Sequence, residues 1–204
     1  MATYKITHSL LTAWLYALKE NPFEDATTEN SSYDDFLRTL RREPVEQSDA
    51  MTNGIQFENA VTDYLAGNQS YVPENWYDAV GVVASHIRGA RLQVDIRKVI
   101  SVNGFQILLH GKLDALYAGT IYDIKFSKSY DRGKYFSSTQ HPMYFALCDS
   151  AEQFTYEVSN GSEVWTETYR RDETRPFEPI IADFLKYLQV CGLIETYKRN
   201  WAVE

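Results

Sequence analysis

Between residues 90 and 126 the chain carries three runs rich in Val, Ile, Leu and Tyr, separated by two tight-turn signals. The runs at 90–100 and 105–117 flank Asn103-Gly104, a pair suited to the left-handed backbone of a two-residue hairpin. The runs at 105–117 and 120–126 flank Ala118-Gly119. Three antiparallel neighbours are predicted, so a sheet has to stand at the centre of the fold. A run at 79–86 is read as a further strand, and 154–159 with 163–170 as a hairpin across Asn160-Gly161.

Around this block the apolar period is helical. Residues 9–19 carry Leu10, Leu11, Trp14, Leu15 and Leu18 on one stripe, with Thr7 as a cap. Residues 34–42 form a short amphipathic helix halted by Pro44, and the polar stretch 21–32 before it reads as a loop. A third helix, 53–66, carries Phe57, Val61, Tyr64 and Leu65, and Gly67 suits its end. Helices are also predicted at 139–149 and 177–197, the latter with Ile180, Ile181, Phe184, Leu185 and Leu188 on one face. The expected fold class is α/β, a central mixed β-sheet flanked by helices. All 204 residues fit one domain, with a helical segment over 1–52.

Several function classes are disfavoured. No run of about 18 apolar residues exists, so no membrane span is expected. The N-terminus lacks the basic region, apolar run and cleavage site of a signal peptide. Two cysteines, Cys148 and Cys191, cannot supply a four-cysteine zinc or iron–sulfur site. Both have apolar neighbours and read as reduced core residues of a cytoplasmic protein.

The chemistry concentrates at Gly111-Lys112-Leu113-Asp114 and Asp123-Ile124-Lys125. Residues two apart on a strand share a face, so Asp123 and Lys125 project together. Their strand includes Ile121, Tyr122, Ile124 and Phe126 and reads as largely buried. A buried acid and base must pair or bind an ion. The hairpin brings Asp114 to the same place, at the end of a polar row formed by Gln106, Leu108, His110 and Lys112. Two carboxylates and the Ile124 carbonyl suit a hard divalent cation, and Glu58, on a helical stripe with Val61 and Leu65, is a candidate third acid. The plain alternatives are a structural Asp123–Lys125 ion pair, a half-exposed strand and a surface Glu58.

A net charge of −8 opposes a polyanionic partner, but its distribution does not. Residues 88–134 hold nine basic and four acidic side chains, a local balance of +5. Phosphate affinity follows the local field. Within that window Lys128, Arg132 and Lys134 alternate with Tyr130, Tyr135 and Phe136, a pattern suited to phosphate contact and stacking on an unpaired strand. His110 and His141 flank the expected cleft, as phosphate or base contacts or as structural hydrogen-bonding residues.

These motifs resemble the PD-(D/E)XK nuclease superfamily, in particular its RecB-like and phage-type exonuclease branch. The likeness rests on Gly54-x-x-Phe57-Glu58, Gly111-Lys112-Leu113-Asp114, Asp123-Ile124-Lys125 and Gln140-His141-Pro142-Met143-Tyr144, in that order. It implies a restriction-endonuclease-like core and a Mg²⁺- or Mn²⁺-dependent deoxyribonuclease. Glu58, Asp114, Asp123 and the Ile124 carbonyl would hold the metal, and Lys125 would orient and help deprotonate the attacking water. Gln140 and Tyr144 would line the cleft and contact DNA or the lysine, with Lys128, Arg132 and Lys134 on the DNA backbone. Recombination or repair in a phage or mobile element follows, with an annealing or recombination protein and self-association as further partners. Endonuclease action, or nucleic-acid binding without catalysis, are the alternatives. Three departures stand out: Leu113 occupies the family's proline position, the four cysteines of its iron–sulfur branch are missing, and Pro142 interrupts the last motif.

Overall fold

The computed structural model describes residues 2–19, 32–44 and 48–203. Of the predicted 21–32 loop, all but Ser32 lies outside these residues. The fold is α/β, a mixed seven-stranded sheet flanked by helices. The strands are β1 (Thr3–Ile6), β2 (Arg91–Val102), β3 (Phe105–Tyr117), β4 (Thr120–Phe126), β5 (Gln153–Ser159), β6 (Val164–Arg170) and β7 (Ala202–Val203). The helices are α1 (His8–Lys19), α2 (Ser32–Arg41), α3 (Asp49–Leu65), α4 (Tyr77–His86), α5 (Gln140–Leu147), α6 (Phe177–Val190) and α7 (Ile194–Trp201).

The predicted meander forms. Asn103 and Gly104 adopt φ of 49° and 80°, and Ala118 and Gly119 adopt 46° and 82°, the left-handed pairs that a two-residue hairpin demands. The β5–β6 hairpin is closed by Asn160, whose side-chain oxygen accepts from the Ser162 and Glu163 amides at 2.9 and 2.8 Å. Thr7 caps α1, its hydroxyl accepting from the Leu10 amide at 3.3 Å.

Three elements and one cysteine differ from expectation. Residues 79–86 form a helix: Ala79, Val80, Val83 and Ala84 are buried at helical spacing, and that packing overrides the β-propensity of the valines. Strand β1, too short for a recognisable period, opens the segment read as wholly helical. The expected 177–197 helix is broken by Gly192 at φ 68°, which ends α6 and restarts the chain as α7. Cys191 is exposed and only Cys148 is buried, so just one of the two belongs to the core.

β2 pairs with β3 along nearly its whole length, so β1 and β4 share the opposite edge of β3. β1 runs parallel against Gln106–Leu109, and β4 runs antiparallel against Ala115–Tyr117. The β3 edge between these stretches has no strand partner. Two apolar clusters complete the packing. One joins α1, α2, α5, α6 and α7 to the sheet, and the other joins α3 and α4 to Ala115 and Ile124. Among the described residues no helix is long and apolar enough to cross a membrane.

Candidate active site

The gap in the β3 edge is where the motif residues meet. Its cause is local. Leu113 and Val94 pack in the first cluster, whereas Ala115 and Leu92, two residues along each strand, pack in or against the second. The side-chain alternation therefore changes phase at Asp114 and at Gln93 opposite it. Gln93 has φ 55° inside a strand, while the register on either side is kept: Leu92 opposite Ala115, Val94 opposite Leu113. The polar row at 106–112 consequently does not run on into Asp114, which is turned inward and half-buried.

Asp114 Oδ2 accepts from the Ile124 amide at 2.8 Å. Asp123 is buried, its side chain 10% exposed, with Lys125 Nζ 2.7 Å from Oδ2 and the Gln140 side-chain amide donating to Oδ1. Apart from the Lys125 ion pair, Oδ2 has no aligned hydrogen bond. Glu58, on α3, accepts a hydrogen bond from the Gln93 side chain. The structure thus brings Asp114, Asp123, Lys125 and Gln140 together, with Glu58 close enough to act on Asp114 through its charge.

Electrostatics follow from that crowding. Burial, then the negative charges of Asp123 and Glu58, push the Asp114 carboxyl up to about 8. Burial works against charge on Lys125, but Asp123, Asp114 and Glu58 outweigh it and hold its pKa above the ordinary lysine value. Lys125 is therefore an ammonium ion here, a donor to water or to a phosphate oxygen. Taking a proton from water would first require it to lose its own.

Tyr144 closes the open β3 edge by donating to the Lys112 carbonyl at 3.0 Å. Gly111 permits this approach, since a Cβ there would meet Tyr144 Cε1 at 2.9 Å and Leu147 Cδ1 at 3.1 Å. Gly54, in the other motif, has nothing within 4 Å of such a Cβ. Gln140 and Tyr144 are both buried and bonded to Asp123 and the Lys112 carbonyl, and Gln140 also lines the cavity that holds Lys125. Pro142 falls in the first turn of α5, where its missing N–H costs no helical bond.

His141 belongs to the core: it is buried, stacks on Tyr169 at 4.1 Å, and burial, then Arg175, lowers its pKa to about 4. His110 lies 2.9 Å from Asp95. Lys128, Arg132 and Lys134 are exposed on the segment after β4. Lys134 lines a cavity of about 180 Å³ together with Lys125 and with Lys19, Tyr16 and His8 from α1. Burial, then the charge of Lys125, lowers the His8 pKa to about 3. These α1 residues carried no motif. Gln93 also escaped the sequence, since neither its left-handed backbone nor its reach to Glu58 has a local signature.

Hard oxygen donors dominate the site, and burial together with the neighbouring acids raises Asp114. Asp114, Asp123 and the Ile124 carbonyl fit a hard divalent cation that keeps several waters. Among the described residues no three His, Cys, Asp or Glu side chains form a ready metal-binding group, and Glu58 is bonded to Gln93.

No family model matches the chain. No curated protein matches it either. Among solved structures, the crystal structure of SSO0001 is similar at 18% identity with a TM-score of 0.42, over 80% of this chain and 88% of that one.

Proposed function

We propose that the protein is a metal-dependent DNA exonuclease that hydrolyses phosphodiester bonds in the cytoplasm, serving recombination or repair in a phage or mobile element. The observation that carries this reading is the meeting of Asp114, Asp123 and Lys125 at the open edge of β3, beside a cavity whose charged lining side chains include Lys19, Lys125 and Lys134. Asp114, Asp123 and the Ile124 carbonyl would hold Mg²⁺ or Mn²⁺. Such an ion, when bound, lowers the pKa of water and offsets charge on the phosphate. Lys125, kept protonated, orients water and stabilises negative charge developing on a phosphate oxygen. Gln140 fixes Asp123 through Oδ1 and leaves Oδ2 to Lys125 and the cation. The resemblance of the four motifs to the PD-(D/E)XK superfamily supports the same reaction.

Calorimetric titration tests the metal site. Mn²⁺ binds the wild-type protein, and Asp114→Asn or Asp123→Asn abolishes the heat. Equal binding by all three proteins would reject the assignment. A second reading, DNA binding without catalysis, draws on Glu58 being engaged by Gln93. It predicts DNA affinity with no Mn²⁺ heat.

A further inference from the structure

Glu167, on β6, is only 8% exposed, and among the described residues it has no ion-pair partner. Four donors converge on its carboxylate. Tyr130 Oη lies at 2.6 Å, the Gly133 amide at 3.2 Å and the Tyr135 amide at 3.1 Å, and the Tyr169 hydroxyl also donates. Burying a carboxylate without a cation is unfavourable unless donors replace its water. Three of the four donors belong to the segment between β4 and α5. The group is thus invested in holding one surface segment in one shape.

What that segment presents is specific. Two of its three aromatics are already used, Tyr130 stacking on Trp165 at 5.6 Å and Tyr135 on Tyr156 at 4.2 Å. The third, Phe136, is 79% exposed, held out by a turn in which its amide donates to the Gly133 carbonyl at 3.0 Å. Lys128 and Arg132 are exposed, and among the described residues neither makes a hydrogen bond or ion pair. Lys134 is tied back to Ser127 Oγ at 2.7 Å and the Ser129 carbonyl at 3.0 Å. Asp131 is the segment's one acid, against three cations. At its far end the segment lines the Lys125 cavity through Ser137 and Ser138 and leads into Gln140, which holds Asp123.

We propose that Glu167 is the positioning residue of a preformed site for an unpaired DNA strand. In that site Phe136 stacks on a base while Lys128 and Arg132 contact the flanking phosphates, feeding the strand toward Lys125. An exposed aromatic on the same short segment as two free cations suits single-stranded nucleic acid, because every base has a face to stack and every linkage a charge. A fully paired duplex keeps its bases stacked on one another and leaves Phe136 without a partner. This inference rests on the DNA reading above.

The test uses fluorescence anisotropy on the full chain in EDTA, with a labelled oligothymidine and a blunt hairpin duplex. Phe136→Ala is expected to weaken oligothymidine binding about 5- to 160-fold, the range of one base-stacking contact. It should change duplex binding less than twofold, and Phe136→Trp should retain affinity. Glu167→Gln keeps the size of the side chain but sets an amide N–H₂ against donors. It should lose comparable affinity for oligothymidine, with no further loss in the Phe136→Ala, Glu167→Gln double variant. Tyr130→Phe, which removes a single bond to Glu167, gives a smaller loss in the same direction and covers a Glu167 variant that does not fold. With Mn²⁺, the Phe136 and Glu167 variants raise KM on oligothymidine and leave kcat near wild type. Unchanged oligothymidine binding by Phe136→Ala, equal losses on both DNAs, or additive losses in the double variant would overturn the proposal. Hydrolysis of p-nitrophenyl thymidine 5′-phosphate, too small to span the two sites, separates the readings. No turnover by wild type counts against the nuclease. Turnover together with Phe136-independent binding counts against the strand site alone.

Discussion

Asp114 Oδ2 accepts the Ile124 amide at 2.8 Å, so the carboxylate of one motif is bonded to the backbone of the other. The side chain takes an amide just beyond the β3–β4 ladder, which runs only from Ala115 and Tyr122 to Tyr117 and Thr120. β4 nevertheless stays paired with β5 as far as Phe126. Asp114 therefore sits in the fork where β3 and β4 part. Asp114→Asn keeps an acceptor for Ile124 and removes the charge. It should fold with stability equal to or above wild type while Mn²⁺-dependent cleavage falls at least about a hundredfold. Asp114→Ala also strands the Ile124 amide and should be less stable than Asp114→Asn by about 1–3 kcal/mol in urea titrations. Equal activity of Asp114→Asn and wild type would remove Asp114 from the reaction.

Stability should depend on pH through the same carboxyl. In the fold Asp114 keeps its proton up to about pH 8, against a reference carboxyl value of 3.8. Between those values the native state binds more protons than the unfolded chain, so without divalent cation stability falls as pH rises through the window. A bound cation takes the place of that proton. The gain in melting temperature on adding Mn²⁺ should therefore be larger at about pH 8.5 than at about pH 5, and Asp114→Asn should flatten both trends. A melting temperature that climbs from about pH 5 to 8 in EDTA, with no such dependence on Asp114, contradicts this assignment.

The two motif glycines should behave oppositely. Gly111→Ala sets a Cβ 2.9 Å from the Tyr144 ring, so the ring that bonds the Lys112 carbonyl must shift. A loss of about 1–3 kcal/mol is expected from overpacking. Gly54→Ala, inside α3 with open space around it, should gain about 0.5–1 kcal/mol. Chemical denaturation of both variants checks the pair, and a neutral Gly111→Ala would mean that Tyr144 does not need its present seat.

Gln93→Gly separates backbone strain from the Glu58 contact. Glycine relieves a left-handed residue inside a strand, a gain of about 1–2 kcal/mol, and removes the donor to Glu58. If Glu58 works only when Gln93 aims it, the variant is as stable as wild type or more so, yet slower on DNA. Unchanged cleavage would leave Glu58 free of Gln93 in the working state.

Much of the site was legible because its spacing is local. Asp123 and Lys125 share a strand face, and two turn pairs fold Asp114 back beside them, so alternation and turn chemistry suffice. The long-range parts were hidden. Gln93 reaches Glu58 from 35 positions away, and Glu167 meets the Tyr130–Tyr135 segment across a strand pairing that no pattern in either stretch announces. The misread α4 shows the same limit in the fold, since Val80, Val82 and Val83 suit a strand until α3 offers a helix face to pack on. Tyr144 lies beside Gly111, but its partner, the Lys112 carbonyl, is on the unpaired stretch of the β3 edge, which no local pattern announces.

Asp114, Asp123 and Lys125 are proposed to cut phosphodiester bonds together. The most direct measurement is digestion of end-labelled linear DNA and a covalently closed circle with Mn²⁺, by wild type and by Lys125→Ala. Wild type is expected to release label from linear DNA and to leave the circle intact. Lys125→Ala should remain folded and be slower by at least about a hundredfold. No release of label by wild type, or a Lys125→Ala protein as active as wild type, would contradict it.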